Sequence, residues 1–282
     1  MTIDCHAHIF SADTERYPVA PLGGTLRAGE LDDPVTAERL LQMLDANGVE
    51  RAVVVQRAYI YGYDNAYVVE AAAKYPQQLR AVCAIDPEAD DAPQTIRHWV
   101  EERGAIGIRL TEPSRGAGTG WLDSPQALAA WETATELGIP VRLHFFRWNR
   151  ESGLPVVAGL LERFPRTQVV IDHLSNLAVE QGPPDYGLDA PLAALIPYAN
   201  LSLLLSTINL GRLAADGKPS APVVARLVEA FGAERIMWGS DIGQSQGTYA
   251  EMRALAEEAV ATLPDRERRL VLDGTGHVVY GQ

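Results

Sequence analysis

The sequence predicts a closed parallel (β/α)8 barrel, the TIM-barrel form of an α/β protein, as one domain over residues 1–282. Three observations point there. Short β-branched, apolar runs alternate with amphipathic helical stretches through eight units. The runs are apolar nearly throughout, the pattern of strands covered on both faces. The chain of 282 residues suits a barrel, which takes about 250. An open, doubly wound sheet is the structural alternative, but no Gly-rich phosphate fingerprint follows the first strand.

The first strand is expected from Thr2 to Cys5, leading into "HAHIF". A polar loop containing Gly and Pro follows, from Ser11 to Pro34; a loop that long inside a compact domain is usually functional. A helix from Thr36 to Ala46 sets Leu40, Leu41 and Leu44 on one face, with Gly48 after its end. "RAVVVQ" (51–56) is the second strand, and residues 63–74 form a helix stopped before Pro76. "LRAVCAID" (79–86), the helix "APQTIRHWVEER" and "AIGIRL" (105–110) continue the alternation. After a helix from Pro125 to Leu137 come the strands "IPVRLHFF" (139–146), "QVVIDH" (168–173), "NLSLLLS" (200–206) and "RIMWGSD" (235–241). The last segment, "GTGHVVYG", reads as a terminal cap.

Charge and composition exclude some functions. Twenty-four basic against thirty-seven acidic residues give a net charge of −13, which disfavours nucleic acid and anionic membrane as partners. Cys5 and Cys83, the two cysteines, both fall in expected strands and read as buried thiols, not a disulfide framework. No basic-then-apolar leader opens the sequence and no apolar run approaches about 18 residues, so the expected location is the cytoplasm.

Function is concentrated in the histidines. His6 and His8 are one residue apart, and side chains i and i+2 of a strand point the same way, with Cα atoms about 7 Å apart. His144 ends strand five, His173 ends strand six and Asp241 ends strand eight. In a barrel the catalytic groups gather where the strands end, a rim holding roughly a tenth of the residues. Four of the six histidines fall on it. His98, inside a helix, and His277, in the cap, are assigned surface or packing roles. His6, His8, His144 and Asp241 make a donor set for one divalent ion, zinc foremost and manganese second. Such an ion lowers the pKa of bound water toward about 7. Asp241 would bind the ion, take the proton of the attacking water, or do both in turn. His173 would hydrogen-bond that water or the carbonyl oxygen.

The ordered motifs "D-x-H-x-H", a histidine ending strand five, "DH" ending strand six and "WGSD" ending strand eight resemble the amidohydrolase superfamily, in its amidohydrolase-related (family 2) branch. Within it, "DCHAHIF", "VVVQ" followed by Asp64 and Asn65, "GIRL" and "VVIDH" are most similar to the 2-pyrone-4,6-dicarboxylate lactonases. The resemblance implies that His6, His8, His144 and Asp241 occupy metal or substrate-carbonyl positions and that His173 is the strand-six histidine. It also implies a frequently oligomeric protein, and some lactonases of this branch work without metal. Members with two metals carry a lysine at the end of strand four. Lys74 and Lys218 are the only lysines in this chain and neither lies on an expected strand, so a single ion is expected. "IGQSQGTY" after Asp241 and "GTGHVVYG" at the terminus depart from the lactonase pattern and leave the substrate's identity open.

Arginines crowd the same rim. Arg109, Arg115 and Arg147 are the candidate contacts for a carboxylated small molecule, since guanidinium forks bind carboxylates bidentately. Arg57 and Arg150 lie near strand ends too. Among Tyr59, Tyr61 and Tyr63, Tyr61 is the candidate wall for a substrate ring, and Ser206 and Asn209 are candidate donors to a ring oxygen. The leading reading is a hydrolase that opens a lactone or similar cyclic ester bearing carboxylates. A metal-dependent decarboxylase similar to aminocarboxymuconate semialdehyde decarboxylase is the alternative, and a non-catalytic acid-binding barrel is the third reading.

Overall fold

A computed structural model describes residues 2–26 and 28–281. Eight strands follow one another in space as in sequence: β1 (Ile3–Ala7), β2 (Arg51–Val55), β3 (Leu79–Ala84), β4 (Gly107–Thr111), β5 (Val141–His144), β6 (Val169–Ile171), β7 (Leu201–Ser206) and β8 (Ile236–Gly239). Each consecutive pair is parallel. The ring closes between β8 and β1, where Asp241 N donates to His6 O at 2.7 Å and His8 N to Ile242 O at 2.8 Å. The (β/α)8 barrel is therefore as expected.

Local chemistry sets the helices. Thr36 Oγ1 accepts from Arg39 N and starts the helix Ala37–Ala46, which buries Ala37, Leu40 and Leu44. Ser124 caps Pro125–Leu137, with Pro125 at its first position. These helices cover the outer face of the sheet, where Val54, Leu110, Leu143, Ile171, Leu205 and Trp238 join one apolar layer. The opposite side chains fill the barrel. Val53, Val55, Val82, Val170, Leu204 and Met237 make an apolar interior cluster with Ile3, Cys5 and Tyr280. Tyr280 belongs to the helix Thr275–Tyr280, the terminal segment read as a cap.

The first strand differs from expectation and the difference matters. It runs to Ala7, and Asp4 pairs with Ala52 while Ala7 pairs with Val54, so β1 carries one residue more than β2 across this interval. That bulge changes the alternation. Ile3 and Cys5 face the barrel interior below it, His6 does so above it, and Ala7 returns to the outer layer. Without the extra residue, His6 would share the outward face of Asp4. Strands five, six and eight are shorter than their apolar runs, so His173 and Asp241 lie just beyond the ladders. The loop expected over 11–34 holds neither helix nor strand among its described residues. Cys5 and Cys83 are free and buried, and among the described residues no helix is long and apolar enough to cross a membrane.

Candidate active site

Asp241 is the centre of the arrangement. It is fully buried and left-handed at φ 58°. Its Oδ2 accepts from Ser245 Oγ at 2.7 Å. Its Oδ1 is buried without a hydrogen-bond partner and lies 3.4 Å from both His6 Nε2 and His8 Nε2, and 3.9 Å from His173 Nε2. A buried carboxylate oxygen is costly unless a cation or a proton meets it.

The histidines are held by distinct partners. His8 Nδ1 donates to Val55 O at 2.8 Å, which leaves the lone pair on its Nε2. His6 Nδ1 instead accepts from Arg142 Nη2 at 2.6 Å. Arginine is only a donor, so neutral His6 carries its proton on Nε2, 3.0 Å from His8 Nε2. His173 Nδ1 meets Ser206 Oγ at 2.7 Å, and Ser206 in turn contacts Asn209 Oδ1. Ser206 and Asn209 thus brace His173, and Asn209 Nδ2 also donates to His173 O at 2.9 Å. His144 Nδ1 pairs with Thr111 Oγ1 at 3.2 Å, and its ring lies 5.4 Å from that of His173.

Electrostatics keep these groups in their unprotonated forms. Burial lowers His6 and His144 well below the ordinary imidazole range, helped by Arg142 at His6 and Arg109 at His144. Burial also lowers His8, and it takes His173 to about 4 against the pull of Asp241. Burial would raise Asp241, yet His173 and His8 hold it below the usual carboxylate value.

Beneath lies a charged layer of which sequence reasoning named only Arg109, and that as a substrate contact. Arg142 and Asp172 are wholly buried and bonded to each other, with Nη2 to Oδ1 at 2.5 Å and Nε to Oδ1 at 2.9 Å. Arg109 Nε donates to Asp172 Oδ2 at 2.8 Å. Burial opposes the ionised Asp172, but the two guanidiniums keep it far below its normal range. The signal was present: Arg109, Arg142 and Asp172 interrupt apolar strands at inward positions, and Arg142 is two residues before His144 on the same face.

A cavity of about 210 Å3 opens over the cluster, lined by His8, Arg57, Arg109, His144, His173 and Asp241, with Tyr59 and Phe146 in its wall. Other candidate contacts lie elsewhere. Arg115 stacks at 4.6 Å on Trp148, and Arg147 pairs with Glu180 at 3.0 Å with more than half of its side chain exposed. Both border an outer depression that shares Phe146 and Asn176 with the cavity. Tyr61 is buried and its hydroxyl accepts from Ser11 N at 2.8 Å, anchoring the first loop. Arg150 donates to Ser175 O and pairs with Asp189.

The donor set fits a divalent ion. The ligand atoms of His6, His8 and Asp241 lie within 4.8 Å of one another, and the unpartnered Asp241 Oδ1 and the His8 Nε2 lone pair are oriented for it. His144 is outside this set and outside the second group, His6, Asp172 and His173. That second group suits a cation less, because Asp172 already serves two arginines. Coordination at His6 Nε2 would need the other tautomer, with the proton on Nδ1, where Arg142 Nη2 now donates.

A family model for amidohydrolases (family 2) matches residues 3–282. The L-fucono-1,5-lactonase of Burkholderia ambifaria is 27% identical over 245 residues, 85% of this chain and 79% of that protein. An amidohydrolase of Burkholderia multivorans solved with bound zinc superposes with a TM-score of 0.75 at 20% identity, covering 100% of this chain and 99% of that one. A probable 2-pyrone-4,6-dicarboxylic acid hydrolase of Acinetobacter baumannii, solved with citric acid bound, gives 0.71 at 18% identity over 100% and 99%. At these identities the two structures speak to the fold.

Proposed function

Because the chain belongs to the amidohydrolase family from residue 3 to 282, we propose that it is a hydrolase opening a lactone that bears a carboxylate. The observation that carries this reading is the buried, unpartnered Asp241 Oδ1 facing three imidazole nitrogens. It is a base with nothing to hold but a proton or a cation. The lactonase from Burkholderia ambifaria supports lactone opening; the cavity-lining Arg109 supports an acidic substrate.

In this reading Asp241 takes a proton from water as the oxygen attacks the lactone carbonyl carbon. Where no ion is held, the Nε2–H of His6, a tautomer that Arg142 fixes, faces His8 Nε2 and keeps that imidazole beside Asp241. His173, neutral above about pH 4, orients the water through Nε2. When the ring C–O bond breaks, the Asp241 carboxylic acid returns its proton to the leaving oxygen. A bound divalent ion would be held by His8, Asp241 and His6 and would supply Lewis acidity at the carbonyl. Zinc suits these donors and is the metal of the Burkholderia multivorans structure. The two free buried thiols suit a reducing compartment such as the cytoplasm.

The test is acid release from a panel of carboxylated lactones, by chelated and by zinc- or manganese-loaded protein. We expect turnover that falls by about a hundred- to ten-thousand-fold in Asp241→Asn. Release of CO2 from carboxylated substrates with every lactone left intact would replace this reading by the decarboxylase.

A further inference from the structure

Arg57 stands between two spaces. With Gln244 it lines both the 210 Å3 cavity and a larger outer cleft of about 910 Å3 that includes Phe10, Glu30 and Thr248. The Arg57 side chain is 4% exposed. Its Nη2 donates to Glu30 Oε1, and its Nε and Nη2 donate to Gln244 Oε1 at 3.0 and 2.8 Å. The Phe10 ring lies 5.1 Å from its guanidinium carbon. A carboxylate of the chain itself therefore sits on a guanidinium of the cavity wall.

The two cavity arginines differ in the kind of carboxylate that each holds. Arg109 is bonded to Asp172, a wholly buried carboxylate shared with Arg142. Arg57 is bonded to Glu30, a residue of the long first loop, by side chains. The earlier part of that loop is pinned by backbone bonds, Ala20 N to Ile60 O at 2.8 Å and Leu22 N to Ala58 O at 2.9 Å. Glu30 holds Arg57 by its side chain and borders the cleft, so a side-chain rotation would release the guanidinium. Exchanging one carboxylate for another keeps a carboxylate on the buried guanidinium, whereas a neutral ligand in Glu30's place would not.

We propose that Glu30 is a built-in placeholder for a substrate carboxylate: an acidic ligand entering through the outer cleft takes Arg57 from Glu30, and Arg57 thereby selects acidic substrates. The proposal rests on the assignment of an acidic substrate to this cavity. In a chain of net charge −13, such an exchange site offers an anion a matched cation at the entrance.

The test is calorimetric titration of the full chain with glutarate and with its dimethyl ester, which require no turnover. Glu30→Gln should bind glutarate about three- to tenfold more tightly than the wild type, and Arg57→Gln at least about tenfold more weakly. Arg57→Lys, which keeps the charge and loses the fork, should fall between. The preference for the acid over its ester should rise in the first variant and fall in the second. Glutarate binding that is equal or weaker in Glu30→Gln would overturn the proposal and make the Arg57–Glu30 pair a brace for the loop. If these binding shifts occur while every lactone stays intact, the exchange stands and the lactonase reading fails. If lactones turn over and the shifts are absent, the reverse holds.

Discussion

Asp241 and His173 share a backbone feature that fits their roles. Both adopt left-handed φ, 58° and 52°, and Leu174, Ser175 and Asn176 continue at 51°, 52° and 56°. For non-glycine residues each such conformation costs about 1–2 kcal/mol. Asn209 Nδ2 on His173 O, Asn176 Nδ2 on Phe145 O and Arg150 Nε on Ser175 O hold the turn. The strain turns His173 back over the barrel mouth, toward Asp241. At this scale the pH dependence follows. His173 is neutral above about 4, chiefly because it is buried, and Asp241 is ionised to still more acid pH than an ordinary carboxylate. Both are in working form above those values and lose it as pH falls. In a pH–rate profile, the acid limb of kcat/KM should lie at about pH 4 or below. A limb near pH 6 would mean that an ordinary imidazole controls the rate.

Among the elements, β1 does most to shape the site. Its bulge turns His6 inward, and Asp4, on the outer side, ties the strand to β8 and to the helix Tyr249–Val260. Asp4 Oδ1 accepts from His6 N at 3.0 Å and Ser240 N at 2.8 Å, and Oδ2 from Tyr249 Oη at 3.0 Å. Gly239 is required at the same closure, since a Cβ there would lie 2.5 Å from His6 Cβ. Burial pushes Asp4 up to about 6 despite those bonds. The native state therefore holds this proton more tightly than the unfolded chain. The resulting stability is complete below about pH 4 and lost as pH rises through about 6, some 3 kcal/mol in all. Asp4→Asn keeps the Oδ1 acceptor and removes the titration. Urea unfolding at pH 4 and pH 7 should show the wild type losing about 2–3 kcal/mol relative to the variant. A loss in the opposite direction would show that Asp4 is ionised and stabilising.

For the whole molecule, the barrel is filled in two parts: an apolar plug, and above it the charged layer that carries the site. The C-terminal helix joins them. Tyr280 packs with Ile3, Cys5 and Val53, while its hydroxyl accepts from Arg142 Nη1 at 3.2 Å. The cap is thus part of the support for Arg142, and through it for His6. Tyr280→Ala should cost about 3–5 kcal/mol in denaturant unfolding, by loss of a buried aromatic. Tyr280→Phe should lose only about 1 kcal/mol, the worth of one hydrogen bond. Equal losses from the two variants would show that the hydroxyl, and not the packing, holds the cap.

Apolar runs at barrel spacing made the architecture legible from sequence, because strands buried on both faces leave a local signature. The same register placed His6, His8, His144, His173 and Asp241 near strand ends, and the structure brings all five to one mouth. Tertiary structure decided the rest. The facing of His6 depends on a bulge that exists only in the pairing of β1 with β2. The tautomer of His6 depends on Arg142, 136 residues away. Arg115 and Arg147 read like Arg109 in sequence, yet they lie outside the cavity because Trp148 and Glu180 engage them there. Alternation along a strand is set by neighbouring residues, but the partner of a charge is set by what folding carries to it from elsewhere in the chain.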